Sequence, residues 1–133
     1  LLGTVAPRIQ LDLLPGLRCA AHVLVRPKHP PTKLDDWIDL GMAVQRIWLT
    51  ATHHGLHLQP QMTPVIFRWY ARAGRRFSTA RQIGEQALEV AANFERIVHA
   101  TPSDDFGFFA RVGVSQLPHS RSIRLDLSGL MKT

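Results

Sequence analysis

The stretch from Thr32 to Gly55 constrains this chain most. Residues 26–31 (RPKHPP) place three prolines directly before it, and prolines exclude a helix interior or a central strand. Thr32 is a candidate N-cap with Asp35 three residues on, close to a capping box. Asp35 and Asp36 fall in the first turn, where the helix dipole favours negative charge. Leu34, Trp37, Ile38, Leu40, Val44, Ile47, Trp48, Leu49 and Ala51 then cover far more than one stripe, which is the pattern of a helix buried on most sides. Gly41 costs about 1 kcal/mol relative to alanine inside a helix. The pattern therefore predicts that another backbone or a flat ligand comes close to it. Gly55 is the natural C-terminal stop.

Around this helix the remaining elements are shorter. Residues 1–18, with Pro7, Pro15 and Gly16, show no sustained period and read as an extended lead-in with turns. Residues 19–25 (CAAHVLV) read as a buried strand. Residues 56–66 (LHLQPQMTPVI) hold two prolines and read as an ordered loop or short strand. Residues 64–76 read as a short basic helix. A second clear helix spans about 79–100, capped by Ser78 or Thr79. Ile83, Ala87, Val90, Ala91, Phe94 and Val98 give its apolar spacing, with Glu85, Glu89 and Arg96 towards water. Residues 104–114 (DDFGFFARVGV) are aromatic and β-branched enough for a strand. Two strands alone are marginal in water, so both need neighbours. The fold class is α+β.

Composition bounds the function. A chain of 133 residues suits one domain, and 45% hydrophobic with 20% charged residues is globular. Residues 1–133 are read as a single domain. The opening phrase Leu1-Leu2-Gly3-Thr4-Val5, without methionine, leads us to expect the C-terminal portion of a longer polypeptide. Cys19 is the one cysteine, which excludes an internal disulfide framework. No apolar run reaches the roughly 18 residues of a membrane span, and residues 1–18 do not show the basic region followed by an apolar core that marks a signal peptide. A cytoplasmic location and no membrane partner are the resulting expectations.

The net charge of +6 favours phosphate-bearing partners. Arg68, Arg72, Arg75, Arg76 and Arg81 run without an acid among them, with Phe67, Trp69 and Tyr70 interleaved. Nucleic-acid binding through phosphate contacts and stacking is one reading. A solvated helix face with inward aromatics is the preferred one. His53, His54 and His57 cluster, but Gly55 divides them and no zinc-type spacing is present. Cys19 and His22 would point to opposite faces of an extended strand. The best site candidate is the arm Pro118-His119-Ser120-Arg121-Ser122-Ile123-Arg124, because arginine forks match phosphate bidentately and serine hydroxyls add donors.

Taken together, these motifs resemble the nitroreductase family. The phrase Asp39-Leu40-Gly41-Met42-Ala43-Val44-Gln45-Arg46-Ile47-Trp48-Leu49-Thr50-Ala51, running on to Gly55-Leu56, is similar to that family's central helix, a Gly-x-x-x-Gln-x-x-x-Leu-x-Ala run ending in a Gly-Leu turn. The run Phe108-Phe109-Ala110-Arg111-Val112-Gly113, followed by a proline-bearing turn and Arg121-Ser122-Ile123-Arg124, is similar to its late strand and C-terminal arm. The likeness covers residues 20–127 and the C-terminal half of the family's domain. The Arg-x-Ser-x-Arg-like segment of the other half has no counterpart here.

The resemblance implies a mixed or antiparallel sheet flanked by helices, a long buried central helix, and a C-terminal arm exchanged in a homodimer. It implies FMN at the dimer interface and hydride passed from NAD(P)H to a nitro, quinone or other organic acceptor. Arg121, Arg124 and Ser120 would hold the flavin phosphate, and Gly55-Leu56-His57-Leu58 would pass the isoalloxazine edge. It implies no catalytic side chain, because the flavin carries the redox chemistry, and no metal. A degenerate, flavin-free dimerisation module is the alternative reading, and a basic nucleic-acid-binding module the second.

Overall fold

The computed structural model describes residues 2–117. The arm residues Ser120, Arg121 and Arg124 lie outside that range. The elements in chain order are α1 (Leu2–Arg8), a π-helical turn (Ile9–Leu13), α2 (Leu14–Arg18), β1 (Ala21–Val25), α3 (Leu34–His53), β2 (His57–Pro60), α4 (Thr63–Arg72), α5 (Arg81–Ile97) and β3 (Phe108–Gly113). The architecture is α+β, with a small antiparallel sheet in the order β1-β3-β2.

The sheet answers the need of each strand for a neighbour. β3 sits in the middle, with Ala21 opposite Val112 on one side and Leu58 opposite Val112 on the other. Backbone bonds extend both ladders: Gly107 N–H to Val25 O at 2.9 Å, and Gln61 N–H to Phe109 O at 2.8 Å. Side chains alternate between faces. Phe108, Ala110 and Val112 therefore point one way, where they form the core with Leu58 and Ala51. Val23, Val25, Val44, Ile47, Leu56 and Met62 pack around them. Phe109 points the other way and meets Phe94 of α5 edge to face at 5.2 Å. β3 is thus covered on both faces, which explains its almost unbroken apolar run.

Three helices end in the same device. A Schellman motif closes α3 at Gly55 (φ +70°), with Leu56 N–H to Ala51 O at 2.8 Å and Gly55 N–H to Thr52 O at 3.0 Å. Another closes α4 at Gly74 (φ +62°), with Arg75 N–H to Tyr70 O at 2.9 Å. The third closes α5 with Ala100 N–H to Glu95 O at 2.8 Å, and there His99 takes the left-handed position at φ +51°.

Four expectations change. First, residues 2–18 are helical and not extended. Pro15 sits in the first turn of α2, where its missing N–H matters least, and the wider π turn just before it absorbs the change of register. Second, α3 starts one residue later than expected. Lys33 is its N-cap residue, and the Asp36 carboxylate, not Asp35, accepts from Lys33 N–H at 2.9 Å and Thr32 N–H at 2.8 Å. Those backbone bonds, Lys33 first, hold the Asp36 carboxyl below the usual carboxylate range.

Third, α3 is not buried on most sides. Ala51 is its buried residue, while Trp37 is 56% and Leu49 59% exposed, and Leu34, Ile38, Met42 and Trp48 are also exposed. Three strands offer a narrow platform, and it covers the Val44–Ile47–Ala51 side of the helix only. Fourth, nothing comes within 4 Å of where a Gly41 side chain would stand. The close approaches occur instead at Gly107, where a Cβ would lie 2.6 Å from Cδ2 of the Leu40 side chain, and at Gly113, where it would lie 3.3 Å from the backbone nitrogen of Ala20.

Candidate functional site

The turn that joins α3 to β2 is positioned from both ends. The Schellman motif fixes its start, and the β2–β3 ladder fixes its exit, with His57 opposite Gly113. Gly55 is exposed, Leu56 and His57 are half-buried, and Leu58 is a core residue. A side chain at Gly55 would meet nothing within 4 Å, so bare backbone faces open space there. The four residues named from the sequence are therefore contiguous but divided. Gly55 and His57 are accessible, while Leu58 turns into the hydrophobic core.

Alternation places His57 and Gln59 on the sheet face opposite Leu58. Across that face runs a polar row that sequence reading missed. His22 lies opposite Arg111, and Arg111 lies opposite Gln59. Arg111 donates to Gln59 Oε1 from Nη2 at 2.8 Å and from Nε at 3.1 Å. Its Nη1 is buried with no protein partner among the described residues, as is Gln61 Oε1. The His22 ring stacks on Phe109 at 5.3 Å with the planes 9° apart. The row was hidden because it depends on strand register, which brings together residues from three distant parts of the chain.

Cys19 joins one end of this row. It is the C-cap residue of α2 and not part of the strand, so the opposite-face expectation does not apply. Its Sγ lies 3.8 Å from both ring nitrogens of His22 and donates to Gly16 O at 3.2 Å. At the end of α3, His53 and His54 meet edge to face at 5.4 Å, and the Gly55 turn carries His57 away onto β2. Among the described residues, no three histidine, cysteine, aspartate or glutamate side chains gather as a metal site.

The arginine run has an internal purpose. Arg68 and Arg72, four apart on α4, share one face of that helix. Glu95 on α5 receives both: Arg68 Nε donates at 2.7 Å, Arg72 Nε at 2.9 Å, and Arg72 Nη2 bonds the other carboxylate oxygen. Arg68 is 6% and Glu95 3% exposed. Arg68 also donates to Thr101 O at 3.0 Å and Pro102 O at 3.3 Å, and its guanidinium lies 3.9 Å over the Phe106 ring. Burial pushes the Glu95 carboxyl up. Hydrogen bonds from Arg72 and Arg68, with their charges, outweigh it and hold the carboxyl below the usual range. The same bond raises Arg72 further. An acid-free arginine run was the signal that a carboxylate had to come from another element.

The other arginines differ. Arg75 lies 4.9 Å over the Trp69 ring, and Arg76 donates to Ser78 O at 3.1 Å. The solvated-face reading thus fails for Arg68 and Arg72, which bind α4 to α5.

No known family matches this chain. Comparison with curated proteins and with solved structures likewise finds no match. Among the described residues, no helix is long and apolar enough to cross a membrane. The functional reading rests on the turn, the polar row and the helix faces.

Proposed function

We propose that this chain is a nitroreductase-like oxidoreductase module that binds FMN as a homodimer and passes hydride from NAD(P)H to an organic acceptor. The observation that carries this reading is the exposed backbone of the α3–β2 turn, with an unsatisfied guanidinium donor on β3, the strand that pairs with β2. Gly55 offers backbone without a side chain, and Arg111 Nη1 is a buried donor lacking a protein acceptor. A planar heterocycle edged with carbonyl oxygens and ring nitrogens suits the bare Gly55 backbone, and the unpartnered Arg111 donor is costly until an acceptor arrives. Gly55, Leu56 and His57 would lie along its edge, with Leu58 bracing the turn from the core. Arg121, Arg124 and Ser120 would take the phosphate. When bound, the flavin supplies the two-electron chemistry, and the protein supplies orientation and electrostatics.

The homodimer is favoured by the α3 face that the sheet leaves open. Trp37, Ile38, Met42 and Leu49 are large apolar residues exposed on one helix. Covering such a patch is a usual reason for association.

That exposed face also supports the second reading, a flavin-free dimerisation module, because it asks for a cover whether or not flavin binds. The nucleic-acid reading keeps little support, since Arg68 and Arg72 are held by Glu95.

The visible spectrum of purified protein and a titration with added FMN separate the first two readings. Flavin absorbance at one equivalent per chain, bleached by NAD(P)H, is expected. A colourless dimer that takes up no FMN refutes the flavin reading and leaves the binding module.

A further inference from the structure

An open cleft between α4 and α5 is lined by none of the residues of the α3–β2 turn. The Gly74 turn sends the chain from the end of α4 across to the start of α5. The loop so formed and the two helices enclose an open cleft of about 540 Å³, within the range usual for small-molecule sites. It is predominantly apolar. Tyr70 and Phe77 form one wall, their ring centroids 5.8 Å apart, and Phe67 braces Phe77 edge to face at 5.1 Å. Leu88 of α5 forms the opposite side. Gly84, one turn earlier, leaves that side flat, with nothing within 4 Å of where its side chain would stand.

Two cations stand on the lining of this apolar slot. Arg75 is steadied by Trp69 beneath its guanidinium at 4.9 Å. Arg76 is steadied by the loop it closes, donating to Ser78 O at 3.1 Å and Thr79 O at 3.4 Å. Guanidinium carries five donor hydrogens, and these bonds leave several of them available on Arg76. Glu85 also lines the cleft and has an interaction of its own. The slot therefore pairs flat aromatic and aliphatic walls with a surplus of positive charge held in place.

We propose that the α4–α5 cleft is a binding site for a small planar aromatic anion, its ring between the Tyr70–Phe77 wall and α5 and its carboxylate or phosphate against Arg75 and Arg76. None of these residues belongs to the α3–β2 turn, so the site stands or falls independently of the flavin reading.

The test uses the full chain without flavin and 1-naphthyl phosphate as probe, followed by isothermal titration and saturation-transfer NMR. Saturable binding is expected, about tenfold or more tighter than 1-naphthol, which lacks the anion, and than inorganic phosphate, which lacks the ring. Gly84→Leu fills the slot while favouring the helix, since leucine is the better helix former. It should abolish probe binding with circular dichroism unchanged. Arg75→Gln, at an exposed position, should weaken binding about tenfold and reduce its salt dependence. Equal binding of 1-naphthol and 1-naphthyl phosphate, or undiminished binding in Gly84→Leu, overturns the proposal. FMN uptake, measured separately in Gly84→Leu, should stay as in the parent.

Discussion

Glu95→Gln is the substitution that most directly tests how α4 and α5 are joined. Glu95 is 3% exposed and serves two arginines, of which Arg68 is buried and Arg72 has a side chain 27% exposed. Neutralising it leaves the Arg68 charge in a poorly hydrated place, and breaking a buried pair by removing one partner costs about 3–5 kcal/mol. Arg68 keeps the carbonyls of Thr101 and Pro102 and the face of Phe106, so the loss should fall at the lower end, about 3 kcal/mol. Arg72→Ala removes the more exposed partner and should cost about 1–2 kcal/mol. Urea unfolding at pH 7, followed by far-ultraviolet circular dichroism, measures both.

The pH dependence supplies an independent check. The folded carboxyl lies below its unfolded value, so its contribution is complete above the ordinary glutamate range and is lost as pH falls through the folded value. The stability gap between parent and Glu95→Gln should therefore close on the acid side. A loss below about 1 kcal/mol at neutral pH, or a gap that does not narrow in acid, would refute the claim that a desolvated ion cluster ties these helices together.

Three other outcomes are expected. His99→Gly should stabilise the chain by about 0.5–1 kcal/mol, because residue 99 sits at φ +51° where glycine carries no side-chain strain; an unchanged or lower thermal midpoint counts against the α5 ending described above. Gly107→Ala should cost about 1–3 kcal/mol, since its Cβ would crowd Leu40, and the penalty should shrink when Leu40→Ala is added. Arg121→Ala and Arg124→Ala should each weaken FMN binding by about 1.5–3 kcal/mol, and unchanged affinity in both, measured by fluorescence titration, would show that the arm is not the phosphate site.

Local punctuation was the legible part of the sequence. The proline loop before α3, the glycine after it and the aromatic run of β3 each act over a few residues, and each appears where the pattern put it. The helical run from Leu2 to Arg18 was misread because Pro7 and Pro15 were treated as breakers. A π turn and a first-turn position let the helical path continue past Pro15. The apolar surface of α3 was read as that of a helix buried on most sides, and it is not. Periodicity carries no information on where the cover comes from, and three strands cover one side only. The Glu95 cluster and the His22–Arg111–Gln59 row were illegible for a common reason. Helix packing and strand register decide which charges meet, and neither is written in any one segment. At the candidate site, the turn was visible in Gly55-Leu56, whereas the orphaned Arg111 donor on β3 was not.

The strand order has a consequence for how this chain comes into being. β1 and β2 never pair with each other, and both lean on β3, which follows all the other described elements in the chain. During synthesis no part of the sheet can close until residues 108–113 have left the ribosome, so α4 and α5 can meet through Glu95 while α3 emerges with no sheet to dock against. Pairings as distant as Ala21 with Val112 make a slow-folding topology. Through that interval the Trp37 and Leu49 side of α3 and its core side are both open to other molecules. A nascent chain stalled before Phe108 would hold its helices without a sheet, making the late arrival of one central strand a hazard for aggregation and a natural point of engagement for chaperones.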